Sequence, residues 1–188
     1  MRFENYYNGL KILDFPELRQ VYSYDCGANA MQSIVIYYGD DVREQEIMKI
    51  AGTTKDGTPP SGLKKVAEKY KIPFKDGKFT INDLKTHIDN KWPTLIPIQA
   101  YPENPEDVVY EDDWEDGHWV IVIGYTKTGI VFEDPSSTKR TFIDYVDLDK
   151  RWHDEDNDKN RLDHYGIVFT GIPNYRSNDI IKMESKRW

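Results

Sequence analysis

Apolar residues recur with a helical period along the first half of the chain and with a period near two along the second. After Asp25, the residues Ala30, Met31, Ile34, Val35 and Tyr38 fall at i, i+1, i+4, i+5 and i+8, which is one face of a helix. Asp25 stands at its N-cap position and Gly39 at its stop. A second helix carries Val42, Ile47, Met48, Ile50 and Ala51, with Asp41 and Glu44 as a capping-box-like start and Gly52 as its end. The run TTKDGTPPSG is loop by composition, and Ser61 caps a short helix through Leu63, Val66, Ala67 and Tyr70. Lys71 to Phe74 turn away. Thr80 and Asp83 then start a further helix that points Leu84 and Ile88 inward.

Beyond Trp92-Pro93 the segments TLIPIQAY, HWVIVIGY, GIVFEDP, RTFIDYV and HYGIVFTGI read as strands, and YTKTG at 125–129 as a hairpin loop. Residues 1–24 are expected to lead in as an extended arm or short strand. The last fifteen, NYRSNDIIKMESKRW, form a short helix or a loose tail. Helices followed by an antiparallel sheet predict a segregated α+β fold.

At 188 residues the chain is expected to be one domain, 1–188, with a core over about 15–172 and a possible tail at 173–188. Its 25 Lys and Arg against 33 Asp and Glu leave a net charge of −8. Such a surface repels phosphates, so nucleic acid and anionic membranes are disfavoured as partners. Thirteen Tyr, seven Phe and five Trp argue against disorder, because aromatics supply large buried area. With one cysteine, Cys26, neither an internal disulfide nor a Cys-rich zinc site can form. No stretch approaches the ~20 apolar residues of a membrane helix, and no signal peptide is visible at the start, so a cytoplasmic location is expected.

Two segments are strongly acidic. Eight of the sixteen residues from Tyr101 to Asp116 are Asp or Glu, with no Lys, Arg or His among them. Residues 154–158 read DEDND, but an EF-hand fails there. Its sixth position would be Lys159 rather than Gly, and its twelfth Tyr165 rather than Glu.

Cys26 falls in the first turn of an apolar helix, where unpaired backbone N–H groups and the helix dipole favour a thiolate nucleophile. The base it needs is found in His118, which opens the strongest strand signal. Asp134 ends the next strand, so a hairpin brings it to the same sheet end, where it can orient the imidazole. Asp116 and Asp144 are the next candidates for that role. Gln20, six residues before the cysteine, can join the Cys26 backbone N–H as donors to an oxyanion. Beside His118, the residues Asp116, Gly117 and Trp119 are expected to contact the substrate.

Together these residues resemble the papain-like cysteine peptidases of the bacteriocin-processing, double-glycine-leader family. QVYSYDCGANAMQSIVIYYG at 20–39 is similar to that family's cysteine signature, and HWVIVIGYTKTGIVFEDP at 118–135 to its His strand and Asp-Pro turn. GTPPSGLKKVAEKYKIPF resembles its linker helix. Arg140, KRW at 150–152 and HYGIVF fit its closing strands, so the likeness covers about 15–172.

The resemblance implies a papain-like fold, with N-terminal helices packed on a C-terminal antiparallel sheet, and a cysteine peptidase acting on a peptide or protein. It implies Cys26 as nucleophile, His118 as general base and then acid, Asp134 as orienter and Gln20 as oxyanion donor, with no cofactor and no metal. A papain-like acyltransferase of transglutaminase type and a non-catalytic peptide-binding module are the alternatives. Unlike transporter-fused members, this chain carries no membrane segment, and its acidic 101–116 segment is longer than the family's connection. That segment is expected to act as a lid selecting Lys or Arg, closing with Val108, Val109, Tyr110 and Trp114. Oligomeric state is not readable from these features.

Overall fold

A computed structural model describes residues 8–156 and 158–180. In chain order the elements are β1 (Lys11–Ile12), α1 (Cys26–Tyr37), α2 (Glu44–Ala51), α3 (Pro60–Lys69), β2 (Phe74–Lys78), α4 (Ile81–Asp89), β3 (Thr94–Gln99), β4 (Gly117–Tyr125), β5 (Gly129–Glu133), β6 (Thr141–Asp144), α5 (Tyr145–Arg151) and β7 (Tyr165–Phe169). The sheet is antiparallel throughout in the order β2-β7-β3-β4-β5-β6. The two residues of β1 pair with Gly124 and Tyr125, taking the edge of β4 where β3 has ended. The expected α+β arrangement is present.

Helix α1 runs under β4 and is buried on nearly every side, not on the single stripe its pattern predicted. Ala28, Ala30, Met31, Ile34 and Val35 are all fully enclosed. Ile47 of α2, Leu63 and Val66 of α3, and Ile121 and Phe132 of the sheet complete one continuous core. A helix enclosed all round places its first residue at a fixed depth. For Cys26 that depth is just under the surface.

Several predicted caps resolve differently. The carboxylate of Asp25 makes no cap bond to α1 and accepts instead from the backbone N–H groups of Val21 (3.3 Å) and Tyr22 (3.0 Å). It therefore braces the turn before the helix, and the chain enters α1 through the Asn29 N–H to Asp25 carbonyl bond (2.9 Å). The N-cap position of α2 falls to Arg43 rather than to Asp41. Helix α2 begins at Glu44 itself, whose side chain is buried, with burial raising its pKa. Helix α3 starts at Pro60, one residue before Ser61, since proline is preorganised for a first helical position. At α4 the capping box of Thr80 and Asp83 forms as expected.

Two elements escaped the pattern. β2 is a polar edge strand, FKDGK, whose ladder bonds come from β7. The segment RTFIDYV is strand only as far as Asp144, whose side chain accepts from the Asp147 N–H (2.9 Å) and starts α5. Of the expected tail, residues 174–180 contain no helix, and 181–188 lie outside the described residues, as do residues 1–7 of the expected N-terminal arm. Among the described residues, no helix is long and apolar enough to cross a membrane.

Candidate active site

The hairpin joining β4 to β5 closes through the Thr126 N–H to Gly129 carbonyl bond (2.9 Å) and brings His118 and Asp134 to one sheet end. The His118 Nε2–H donates to Asp134 Oδ1 at 2.8 Å. With Nε2 so engaged, Nδ1 is the ring nitrogen left for Cys26, which stands at the start of α1 close enough to influence the imidazole. Cys26, His118 and Asp134 are 7%, 6% and 2% exposed. They form a thiol, imidazole and carboxylate in series at the seam between helix layer and sheet.

Burial opposes charge on His118. The hydrogen bond to Asp134, followed by the influence of neighbouring Cys26, outweighs it and pushes the pKa up to about 9. Burial likewise works against ionisation of Asp134, but the donors around it win and lower its pKa. Besides His118 these are the Ser136 N–H on Oδ1 (2.9 Å), and the Tyr101 hydroxyl (2.5 Å) and Thr141 hydroxyl (3.2 Å) on Oδ2. A carboxylate with four donors is rotationally fixed, and so is the imidazole it holds.

Gln20 sits beside the same turn. Its backbone N–H donates to the Pro135 carbonyl (3.0 Å) and its Oε1 accepts from the Ser136 hydroxyl (2.8 Å). Nε2 donates to the Tyr22 carbonyl (2.6 Å), which uses one of its two N–H groups and leaves the other. The arm carrying Gln20 is clamped to the end of β5 by an ion-pair cluster. Buried Glu133 takes Arg19 (2.5 Å) and Arg140 (3.7 Å), while Arg140 also donates to the Phe15 carbonyl (3.0 Å). Sequence reading noted Arg140 but missed Glu133 and Arg19.

Cys26 opens into a cleft of about 80 Å³ lined by Gly117, Trp119, the loop at 56–60, and Asp154 to Asp156. Asp116 is not among its lining residues. It binds through its backbone, the N–H donating to Gln99 Oε1 (2.9 Å) and the carbonyl accepting from the Ala100 N–H (2.9 Å). Close packing makes two glycines necessary here. A Cβ on Gly27 would lie 2.8 Å from the Thr58 Cβ and 3.0 Å from the Trp119 ring, and one on Gly117 would lie 2.5 Å from Asp154 Oδ2. The Trp119 indole N–H donates to the Thr58 carbonyl (3.1 Å), locking that wall. Asp56, Asp154, Glu155 and Asp156 give the cleft an acidic lining, and burial pushes Asp154 up to about 6.

No residue of the acidic segment 101–116 lines this cleft. Arg151 stacks on Tyr110 at 3.5 Å, and Trp114 contacts both His153 (4.5 Å) and Arg161 (4.7 Å). His153 Nε2–H also donates to the Asp113 carbonyl (2.7 Å). Of the apolar groups expected to close over substrate, Tyr110 and Trp114 are thus docked on residues 151–161 and Val109 is exposed. Its first residue, Tyr101, does reach the site. Asp144, the other reserve orienter, pairs with Gly129 at the opposite end of β5 and caps α5.

A helix-borne thiol facing a strand-borne imidazole and carboxylate is the arrangement of a papain-like thiol peptidase. Residues 14–155 match the model of the peptidase C39 family, and the chain belongs to that family of cysteine peptidases. The pediocin PA-1 transport/processing ATP-binding protein PedD of Pediococcus acidilactici is 26% identical over 134 residues, which are 71% of this chain and 17% of that protein. The lactococcin-A transport/processing ATP-binding protein LcnC of Lactococcus lactis is 28% identical over 119 residues, 63% of this chain and 15% of that one. The chain therefore matches a small part of each relative.

Among solved structures, the peptidase domain of Streptococcus ComA, a bifunctional ABC transporter of a quorum-sensing pathway, has a TM-score of 0.62 at 18% identity, covering 82% of this chain and 97% of that domain. A C39-like peptidase from Bacillus anthracis has a TM-score of 0.67 at 15% identity, covering 89% and 100%. These likenesses establish the shared fold.

Proposed function

We propose that this chain hydrolyses peptide bonds with Cys26 as nucleophile, His118 as general base and acid, and Asp134 as orienter. The observation that carries the reading is the series itself, in which His118 hydrogen-bonds Asp134 on one side and stands beside Cys26 at the start of α1 on the other. In the first step the Cys26 sulfur, its proton passed to His118, attacks the substrate carbonyl carbon and the carbonyl π pair moves onto oxygen. The unused N–H of Gln20 and the Cys26 backbone N–H, unpaired at the helix start, supply the oxyanion donors. Collapse breaks the C–N bond, and the proton on His118 goes to the leaving amine. A water molecule then gives its proton to His118 and attacks the thioester; the C–S bond breaks, the acid leaves, and the sulfur and the proton-bearing His118 are ready for the next turnover.

The substrate under this reading is a peptide with a small residue beside the scissile bond, because Trp119 and Thr58 leave a cleft of about 80 Å³. One continuous core beneath both layers supports treating the chain as a single folded unit. The test is cleavage of a diverse peptide library followed by mass spectrometry, using wild type, Cys26→Ala and His118→Ala. Wild type should produce defined cuts and both variants none. Equal cleavage by Cys26→Ala would overturn the proposal.

A further inference from the structure

His118 and Asp134 are buried, but one side chain that touches both of them is not. Tyr101 is 57% exposed. Its hydroxyl donates to Asp134 Oδ2 at 2.5 Å, and its ring meets the His118 imidazole edge to face, with centroids 5.5 Å apart and planes at 71°. It thus forms the outer layer over a hydrogen bond whose two partners lie inside. The bond it covers is the one that sets the orientation of the base.

The backbone supports a specific role. Tyr101 has φ +63°, a left-handed conformation that is costly for a bulky side chain and is kept only where surrounding contacts favour it. The residue follows β3 and Ala100, whose N–H is held by the Asp116 carbonyl (2.9 Å). The left-handed turn at 101 is what sends the acidic segment off toward residues 151–161 while aiming the tyrosine ring back at the sheet end. A tyrosine suits the position chemically. Its ring excludes water from the His118–Asp134 bond, and its hydroxyl occupies the carboxylate oxygen that His118 leaves free.

We infer that Tyr101 is a positioning residue that holds Asp134 and shields its hydrogen bond to His118 from solvent. The inference rests on the proposed roles of His118 and Asp134. It acts through them, so loss of Tyr101 lowers kcat and leaves substrate binding alone. One hydrogen bond to a charged acceptor corresponds to about tenfold in rate.

The experiment uses the full chain with a peptide taken from the library cleavage, comparing wild type, Tyr101→Phe, Tyr101→Ala and His118→Ala. The expected result is a kcat lowered about tenfold in Tyr101→Phe and further in Tyr101→Ala, with KM within about twofold of wild type. Because Tyr101 is largely exposed, both variants should keep the fold, and the phenylalanine retains the ring. NMR of the histidine ring protons reads the shield directly. The His118 Nε2–H signal should be visible in wild type and lost to solvent exchange in Tyr101→Ala. Wild-type kcat in both tyrosine variants, or a rise in KM at unchanged kcat, overturns the inference. Turnover retained in His118→Ala overturns instead the reading beneath it.

Discussion

Replacing Asp134 by asparagine removes a charge while keeping the side-chain shape, and the four donors around it set the consequence. Oδ1 receives His118 Nε2–H and the Ser136 N–H, both of which can only donate in this arrangement. Oδ2 receives two hydroxyls, from Tyr101 and Thr141, and a hydroxyl can turn to accept. The asparagine carbonyl therefore belongs at the Oδ1 position and its amide at Oδ2, where the hydroxyls rotate to meet it. The imidazole keeps its orientation but loses a charged partner. A hydrogen bond to an ionised group is stronger than a neutral one by about 1–2 kcal/mol, which corresponds to roughly 5–30-fold in rate.

Asp134→Asn should accordingly turn over peptide roughly 5–30-fold more slowly than wild type, with little change in KM. Asp134→Ala should be far worse and also less stable, because four donors lose their acceptor, two of them with no means of turning. The assay is steady-state cleavage of a fluorogenic peptide, with urea unfolding of each variant alongside. A wild-type rate for Asp134→Asn would show that another group orients His118. A rate as low as that of Cys26→Ala would show that the carbonyl does not settle at Oδ1, and the argument from rotatable hydroxyls would fail.

Three further outcomes are expected. His118 should titrate near 9 in an NMR pH series, staying charged through neutral pH; in Asp134→Asn its midpoint should fall, since the hydrogen bond to Asp134 is the leading influence raising it against burial. A midpoint unchanged by that substitution would contradict the assignment. Glu133→Ala should cost about 3 kcal/mol in urea unfolding, because Arg19 and Arg140 lose a buried partner, whereas Glu133→Gln should cost less. Equal stability of Glu133→Ala and wild type would mean that the cluster does not clamp the arm. Finally, kcat/KM for a Lys- or Arg-rich peptide should fall as salt rises over a range where the Debye length shrinks below ~8 Å, while a neutral peptide responds less. Asp154→Asn with Asp156→Asn should narrow that difference, and an unaltered difference would remove the cleft's acidic lining from the account of specificity.

Local signals in the sequence were enough for α1, α4, the strands β3, β4, β5 and β7, and the hairpin at 125–129. Each is specified by residues within one or two turns or one strand of one another, through periodicity, the Thr80 box and turn chemistry. The same signals were enough to single out Cys26, His118 and Asp134, since a helix start, a strand start and the next strand's end are positions that pattern alone can locate. Tertiary structure decided what depends on partners distant in the chain. β2 has no apolar period, and it is a strand because β7 offers it a ladder. Asp25 looked like a helix cap, but the preceding turn brings two N–H groups within its reach, and it serves them instead. Tyr101 meets Asp134 across 33 residues, and Glu133 gathers arginines from two different loops. No local pattern encodes such meetings, because they follow from where the sheet register and a single left-handed turn send the backbone, and only then from the side chains that happen to arrive.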